Sequence, residues 1–538
     1  MQKIVTNPFF EVALREVPRL LGQIDRNPMS PTYGSCDRAF WLYRTNDISS
    51  MRYQETALTL ALLYTTSFTG NPYFRDEHVL SLAKAAVLFA CNSQHADGTF
   101  DEWYINEGSF VCTAFVTAAL CETVIILGDE LEGRNKVVAA LRKSGAWLSH
   151  HTETLVVNQL AGAVSALNAL FTITGDTAFR TKAEEKCATV LSLQHTEGWW
   201  GEYGGPDAGY LSLTIDYLSR YAERTNDMRV YSAIEKASAF LVRLINPDGT
   251  AGGEYLSRNT EYLIPSGFLR SAPHSETARV ISGIIAGLCS TGKGITPRSL
   301  DDRYICYILY NWLEAGVLWT RLRDVPTSLD MARGRSFFPD AGLCIERNDG
   351  YQLFVNLQKG GSLRLYSNGS VLIDSGITVR TDGAVYAGNV LDAATHFSYD
   401  ESSSTLRSEG RLIRVWAPLL TTGRAILLKA AQWVFGPIPL VQSLLKRLLR
   451  MRSVLRPGSR SDLQYERIVV LGVDTVVITD ILHDSVPREC IVVGEVNIYA
   501  LVPSSRYVAD QPYRRLKPRN ESYEMKNGVT CVVRTFGI

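Results

Sequence analysis

The first half of the chain repeats a helical spacing of apolar side chains. From about residue 50 to about residue 320, segments such as VLSLAKAAVLFACNSQ, NQLAGAVSALNALFTITGD and YLSLTIDYLSRYAER carry apolar residues at i, i+3, i+4 and i+7. This is the spacing of an amphipathic helix. Few strand-like runs interrupt these segments. The pattern therefore predicts a domain made of helices that each bury one face.

Three of the connections between these helices are rich in glycine and aromatic residues. They read NSQHADGTFDEWYINEG, SLQHTEGWWGEYGGPDAG and INPDGTAGGEYLSRNTEY, and each places a Glu before an aromatic residue: Glu102-Trp103, Glu202-Tyr203 and Glu254-Tyr255. Their spacing is close to multiples of about 50 residues, the length of a helical hairpin with its loops. Hairpins that bury one face need neighbours, and a closed ring supplies them. We predict an α/α toroid with these loops at one mouth.

The periodicity changes from helical to alternating after about residue 335. The segment AGLCIERNDGYQLFVNLQKGGSLRLYSNGSVLIDSG has apolar residues at every second position, and SNG separates two such runs as a hairpin turn would. YERIVVLGVDTVVITDILHD repeats the pattern. We therefore predict an α+β multidomain protein, with a toroid over residues 1–335 and an antiparallel β-sandwich over residues 336–538.

An apolar and basic insertion interrupts the predicted strands at about residues 419–462. It is apolar up to Leu449 and includes Trp433 and Phe435; its later cations are Lys446, Arg447, Arg450, Arg452, Arg456 and Arg460. Lys429 and the GPIP break argue against a membrane-spanning helix. Two amphipathic helices in a membrane interface, with the cations facing anionic headgroups, fit the pattern. The alternative is a helical excursion packed on the toroid or on a partner chain.

Composition narrows the functional classes. The formal net charge is zero over 538 residues, so no overall field favours nucleic acid. None of the ten cysteines forms a CxxC pair, and we expect neither a disulfide framework nor a metal site or other cofactor. The first residues lack the pattern of a signal peptide. We therefore expect a cytoplasmic protein with peripheral contact at the inner membrane surface.

Several segments resemble the heparinase II/III-like polysaccharide lyases, which combine an α/α toroid with an antiparallel sandwich. Phe337–Gly376 is similar to the start of that family's sandwich, and HHTETLVVNQLAGAVSALNALFTITGD resembles the helix that carries its active-site Asn, which matches Asn158. The stretch GWWGEYGGPDAGYLSLTIDYLSRY resembles the region of the catalytic Tyr, with Tyr210 as the nearest match and Tyr203 as the substitute.

The resemblance implies β-elimination on a uronic-acid-containing polysaccharide or a lipid-linked glycan. An amide or guanidinium neutralises the uronate carboxylate, and Tyr or His then removes the C5 proton and protonates the leaving oxygen. The residues predicted to catalyse this reaction are Asn158, Tyr210, Arg258 and His396. His396 enters because the sandwich stretch QKGGSLRLY has Lys359 and no His, whereas the family usually has a His there; His150, His151 and His274 are alternatives.

The predicted substrate-binding residues come from the same loops. They are Trp103, Trp199, Trp200, Glu202, Tyr203, Tyr255, Asn259, Glu261, Tyr262 and His274. Asn158 is also consistent with a helix cap and Tyr210 with a core position. Glu202 and Glu254 are either structural or the acid and base of a hydrolase.

Several functional alternatives remain open at the sequence level. They are a uronyl C5-epimerase on the same scaffold, a glycoside hydrolase with paired carboxylates, and a non-catalytic polysaccharide-binding or assembly protein. QHADGTF and QHTEGWW also resemble the repeats of terpene cyclases, although the acidic motifs of those enzymes are absent.

Overall fold

The N-terminal domain is a closed double ring of helices. The computed structural model describes residues 7–326, 333–381, 383–415, 421–435, 459–494 and 513–538. The inner ring consists of α3 (Thr56–Thr65), α5 (Phe110–Leu127), α7 (Val157–Thr174), α9 (Ala208–Thr225), α11 (Pro265–Ser271) and α13 (Asp302–Trp319). The outer ring consists of α1 (Pro8–Leu21), α4 (Glu77–Ser93), α6 (Arg134–His150), α8 (Thr177–Ser192), α10 (Met228–Val242) and α12 (Glu276–Thr291). A short helix, α2 (Arg38–Trp41), lies in the connection before α3.

The ring closes because its first and last inner helices meet. Each inner helix packs on the next, α13 packs on α3, and α1 serves as the outer partner of α13. The inner helix α5 is buried along almost its whole length. Phe110–Glu130 is the one helical stretch of the described residues that is long and apolar enough to cross a membrane, and 83% of it is buried inside the protein. Its composition is thus explained by packing between neighbouring helices.

All six inner helices begin at the same mouth of the toroid. Side chains of Ser109, Asp207 and Asp301 accept backbone N–H groups at the starts of α5, α9 and α13, as helix caps do. At the far end two of the turns are short, and there the chain reverses after α7 and α9 through left-handed residues, Gly175 and Asn226. The three loops rich in glycine and aromatic residues lie at the other end, the mouth.

Two glutamines tie the mouth loops to the outer ring. Gln94 Nε2 donates to the carbonyl oxygens of Gly98 and Ala140, and Gln194 Nε2 donates to those of Gly198 and Ala233. Ala140 and Ala233 lie on the next outer helix in each case. This contact explains why QHADGTF and QHTEGWW repeat, and the similarity to terpene cyclase repeats reflects loop anchoring.

The C-terminal domain is a sandwich of two sheets. The first sheet has the order β1 (Gly334–Phe338), β2 (Leu343–Arg347), β3 (Tyr351–Asn356), β4 (Ser362–Ser367), β5 (Ser370–Asp374) and β13 (Arg514–Arg515). The second has the order β12 (Ile491–Val493), β6 (Ile377–Thr381), β7 (Ala384–Ala387), β9 (Thr405–Arg414), β10 (Arg460–Leu471), β11 (Thr475–Leu482), β15 (Val529–Gly537) and β14 (Asn520–Lys526), with β8 (His396–Asp400) paired to β9. All pairs are antiparallel except the two-residue β13 with β5.

The first sheet lies between the toroid and the second sheet. Leu343, Ile345 and Phe354 belong to the toroid core, whereas Leu353 and Leu365 belong to the core between the sheets. One face of these strands therefore packs on the toroid and the other face packs on the second sheet. The alternation does not separate a buried face from one in solvent. The predicted fold class, a toroid followed by an antiparallel sandwich, is confirmed.

A buried cluster of four charges joins the two sheets. Arg467 of β10 donates two hydrogen bonds to Asp480, at 2.7 and 3.0 Å, and one to Asp374 at 2.9 Å. Arg534 contacts the same two carboxylates at 2.6 and 2.8 Å. Burial raises the pKa of Asp374, but Arg467 and Arg534 outweigh it and hold that pKa at about 2. The Asp of the VLIDSG motif therefore has a structural role.

The insertion contributes one helix to the described residues, α14 (Thr422–Phe435). Lys429 Nζ lies 2.8 Å from both carboxylate oxygens of Asp47, and Asn106 Nδ2 donates to the Gln432 carbonyl at 3.4 Å. Both partners are loop residues of the toroid, so α14 lies on the rim of the mouth. The second predicted helix of the insertion lies outside the described residues.

Candidate active site

Asn158 and Glu202 form the buried centre of a polar cluster at the mouth. Asn158 is the second residue of α7, and its backbone N–H donates to Glu202 Oε1 at 2.9 Å. Its side-chain Nδ2 donates to Glu202 Oε2 at 2.6 Å. Asn158 therefore does not cap its own helix. Instead, the carboxylate of another loop fixes its side-chain amide, which leaves the second N–H of that amide for another acceptor.

The Glu202 loop is held by backbone bridges that pair Glu202 with Val156 and with Gly205. Glu202 is fully buried, and burial raises the pKa of its carboxyl well above the usual range, while the two bonds from Asn158 oppose that rise. The next residue, Tyr203, has a left-handed backbone with φ of 57°, a conformation that costs of order 1–3 kcal/mol for a non-glycine residue. The bridges offset this cost and fix the direction of the Tyr203 side chain.

Asp207 joins α9 to the loop that carries Arg258. Its Oδ1 accepts the Tyr210 N–H at 3.1 Å, and its Oδ2 accepts the N–H groups of Arg258 and Thr260, each at 3.3 Å. Thr260 Oγ1 also donates to Asp207. Asp207 is therefore a cap and a loop anchor. Its carboxyl is fully buried and occupied, which removes it as a free acid or base.

Two tyrosines and an arginine face one another above this centre. The Arg258 guanidinium lies 4.0 Å from the centre of the Tyr203 ring, and the rings of Tyr203 and Tyr210 are 6.3 Å apart. Burial raises the pKa of both phenols, and Arg258 lowers both in part. Arg258 Nε is buried with no hydrogen-bond partner among the described residues, as is Asn259 Oδ1. The arrangement can bind an anion and exchange protons with it.

The first turn of α13 adds a second wall that the sequence analysis missed. Arg303 donates to Glu102 at 2.9 Å and to the Tyr307 hydroxyl at 2.6 Å, and lies 4.0 Å from the centre of the Trp103 ring. Burial raises the pKa of Tyr210, and the neighbouring Tyr304 raises that pKa further. The spacing of Arg303, Tyr304 and Tyr307 in DDRYICY was a usable signal, since α13 starts at the same mouth. Trp103, 61% exposed, is the outermost aromatic residue of this wall.

Several predicted binding residues are structural instead. Trp200 is fully buried and donates to the Val190 carbonyl at 2.8 Å, and Trp199 is 3% exposed and stacks on His195 with ring centres 3.6 Å apart. Tyr255 is fully buried against Phe354 of the first sheet, with ring centres 5.0 Å apart. These aromatic residues therefore fill the toroid core or its contact with the sandwich.

Glu254 and Glu261 also pack into the domain contact, whereas Tyr262 is buried behind the wall formed by α13. Both glutamates pair with Arg364 of β4, and Tyr262 is 3% exposed beside the Tyr304 ring. The carboxylates thus neutralise a buried arginine. An acid–base pair of Glu202 and Glu254 is not supported, because Arg364 holds the Glu254 carboxylate.

Two predicted histidines lie away from the cluster. His274 follows α11 at the far end of the toroid, where it stacks on Tyr231. His396 begins β8 on the second sheet, is exposed, and lies opposite Glu409 in the strand register. Neither contacts the cluster within the described residues. Asn158, Glu202, Tyr203, Tyr210, Arg258 and Asn259 are thus the predicted residues that the fold brings together.

Lys359, which stands where the resemblance leads one to expect a histidine, anchors the Arg258 loop. Its buried Nζ donates to the carbonyl oxygens of Glu254 and Leu256. Burial lowers the pKa of Lys359 to about 8. The neutral amine keeps two N–H groups for the two carbonyls, so the contact persists without the charge.

Replacement of Lys359 by Met is expected to change how stability depends on pH. Because the folded pKa lies below the value of about 10.4 for an unfolded lysine, the folded protein releases this proton first. The contribution of Lys359 to stability therefore rises from pH 8 towards pH 10. In denaturant unfolding, the free energy of unfolding of the wild type minus that of the variant should rise over this pH range. The matched variant Lys429→Met removes an exposed lysine and should give a flat difference; a flat difference for Lys359→Met as well would contradict the pKa assignment.

The comparisons with known proteins agree with this architecture. No protein-family model and no curated protein matches the sequence. A chondroitin AC lyase of Streptomyces coelicolor A3 is similar in structure, with a TM-score of 0.57 and 12% identity over 91% of this chain and 68% of that one. A Paenibacillus xanthan lyase has a TM-score of 0.53 and 10% identity over 88% of this chain, which spans 45% of that lyase. The resemblance to polysaccharide lyases is therefore confirmed as a shared fold.

Proposed function

We propose that this protein is a polysaccharide lyase that cleaves a uronic-acid-containing glycan by β-elimination. The observation that carries the proposal is the convergence of an oriented amide, a guanidinium and two tyrosines, Asn158, Arg258, Tyr203 and Tyr210, at one mouth. The structures that share this fold include a chondroitin AC lyase and a xanthan lyase.

The carboxylate of the sugar is the first group that the cluster fits. The C5 proton of a uronate is weakly acidic while its carboxylate keeps a full negative charge. The free N–H of the Asn158 amide and the guanidinium of Arg258 stabilise the negative charge that moves onto the carboxylate oxygens when C5 is deprotonated. Glu202 accepts one hydrogen bond from the Asn158 backbone N–H and one from this amide. These two bonds occupy its carboxylate, so Glu202 positions the amide and does not itself contact the sugar.

The two tyrosines then divide the proton transfers. Burial raises the pKa of Tyr203 and the Arg258 guanidinium over its ring opposes that rise; we assign Tyr203 as the base that removes the C5 proton. Tyr210 lies beside Tyr304, which raises its pKa further, and it remains protonated to serve as the acid for the C4 oxygen. The C4–O bond breaks, a C4–C5 double bond forms, the proton from Tyr210 goes to the leaving oxygen, which departs as a hydroxyl, and the C5 proton stays on Tyr203.

The same cluster supports C5-epimerisation up to the first proton transfer. An epimerase returns a proton to C5 from the opposite face and leaves the C4–O bond intact. Incubation with uronate polymers in deuterated water separates the two activities. A lyase gives ultraviolet absorbance from the C4–C5 double bond, whereas an epimerase gives deuterium at C5 without that absorbance. Neither signal with any uronate polymer would favour a protein that only binds glycans.

Replacement of Asn158 by Ala is expected to lower kcat/KM by about 100- to 1000-fold, the usual loss for one donor to a developing anion. The matched change Asn168→Ala removes a buried amide of the same helix away from the cluster and should leave kcat/KM unchanged. Product absorbance measures both. Wild-type kcat/KM in a folded Asn158→Ala variant would contradict the proposed carboxylate contact.

A further inference from the structure

Helix α14 presents most of its apolar residues to solvent, and the side chain that it buries is polar. Ile426, Leu427, Trp433 and Val434 are 65%, 71%, 65% and 63% exposed, and Phe435 is 48% exposed. Gln432, by contrast, is 2% exposed. An ordinary surface helix has the opposite arrangement, because burying the apolar face is what stabilises it on the protein.

The helical spacing gathers these residues into one stripe. Ile426, Leu427, Ala430, Trp433 and Val434 follow an i, i+1, i+4, i+7, i+8 pattern, which places them on one side of the helix. The two polar contacts described above, Lys429 with Asp47 and Asn106 with the Gln432 backbone, lie on the toroid side. The stripe faces outward, because its members are exposed while Gln432, on the opposite side of the helix, is buried.

Charge identifies the surface that the stripe fits. The stretch of residues 410–461 contains no Asp or Glu, although the whole chain has equal numbers of acidic and basic residues. Lys446, Arg447, Arg450, Arg452 and Arg456 follow α14 in the sequence, and Arg424 is exposed on α14 itself. An apolar stripe in a segment of the sequence that carries cations and no acidic residue is the combination that binds the interface of an anionic bilayer.

We propose that α14 docks the protein on an anionic lipid surface, with Leu427 and Trp433 entering the interface. Asn106 and Trp103 belong to the same toroid loop, so docking brings the bilayer beside the mouth of the toroid. A glycan attached to a lipid would then lie within reach of the cleft. The proposal uses no residue of the Asn158 cluster, and its test is independent of the lyase activity.

Sedimentation with lipid vesicles tests the proposal. The full chain should sediment with vesicles of phosphatidylcholine and phosphatidylglycerol at low salt, and less with phosphatidylcholine alone. The double variant Leu427→Ser/Trp433→Ser should reduce the partition coefficient at least ~10-fold, because two apolar side chains no longer enter the interface. Higher salt should weaken wild-type binding, since the cations are then screened.

The matched control is Val473→Ser, which changes an apolar residue that is 93% exposed on the turn between β10 and β11. It should bind vesicles like the wild type, and circular dichroism should show all variants folded. Wild type that stays in the supernatant would overturn the proposal, as would equal binding by the double variant. Self-association that the double variant abolishes, without vesicle binding, would show that a second copy covers the stripe and would also overturn it.

Discussion

Replacement of Tyr210 by Phe is expected to lower turnover of a uronate polymer by at least ~100-fold, the usual loss when a general acid or base is removed. Tyr210 is fixed by the Asp207 cap at the start of α9 and its ring is near that of Tyr203. Phe keeps the ring and removes only the hydroxyl, so the fold should be unchanged. Initial rates of double-bond formation under saturating substrate measure the effect.

A substrate with a better leaving group at C4 separates the roles of the two tyrosines. If Tyr210 protonates the leaving oxygen, an aryl or fluoride leaving group should restore much of the rate of Tyr210→Phe, because such a group departs without a proton. The same substrate should not rescue Tyr203→Phe, which lacks the base. Tyr231→Phe, at the far end of the toroid, is the matched control and should behave as wild type. Rescue of Tyr203→Phe alone would reverse the two assignments.

Replacement of Arg467 by Met is expected to destabilise the protein by about 3–5 kcal/mol, the usual loss when one partner of a buried ion pair is removed. Asp374 and Asp480 are buried at the centre of the sandwich, and Arg534 alone would remain to neutralise two carboxylates. The sandwich should therefore lose stability even though Met fits an apolar core. Denaturant unfolding at neutral pH measures the change.

The matched change is Arg407→Met in the neighbouring strand. Arg407 pairs with Glu466 at 2.9 Å, but its side chain is 49% exposed, and an exposed pair of this kind contributes about 0–1 kcal/mol. A loss for Arg467→Met no larger than that for Arg407→Met would contradict the structural role of the buried cluster.

The succession of a helical toroid and a sandwich could be predicted because both depend on the period of apolar residues. The turns at SNG and at Gly472–Asp474 follow local conformational rules, and the strands on either side start and end where these turns require. The burial of both faces of β2 to β5 was not predictable. Alternation shows which residues share a face of a strand. It does not show that the toroid, which is far away in sequence, covers the outer face.

The site was predicted in part for a similar reason. Asn158 and Tyr210 were predicted because their segments resemble the helix and the loop of the lyase family, and both lie at the mouth because inner helices begin there. Trp199, Trp200 and Tyr255 were assigned to the cleft because their loops looked exposed, but their rings pack inward against the toroid core and the first sheet. Loop composition indicates that aromatic residues are present and does not give their direction.

For helix α14, too, composition did not give the direction of the side chains. The apolar content of residues 419–462 predicted a surface that avoids water, but only the contacts of Lys429 and Gln432 show which side of the helix the toroid takes. The two readings of the insertion, packing on the toroid and contact with a membrane, are compatible because they concern opposite sides of one helix.

The unequal ends of the toroid have a consequence for how such a protein can be changed. At the far end the chain turns between α7 and α8 and between α9 and α10 in two residues each, whereas the loops after α4, α8 and α10 at the mouth are far longer. The loops proposed to bind a sugar are thus separate from the helices that close the ring. A protein engineer can exchange these mouth loops without changing the ring, and can insert an affinity tag or a fluorophore at the Asn226 turn without obstructing the mouth.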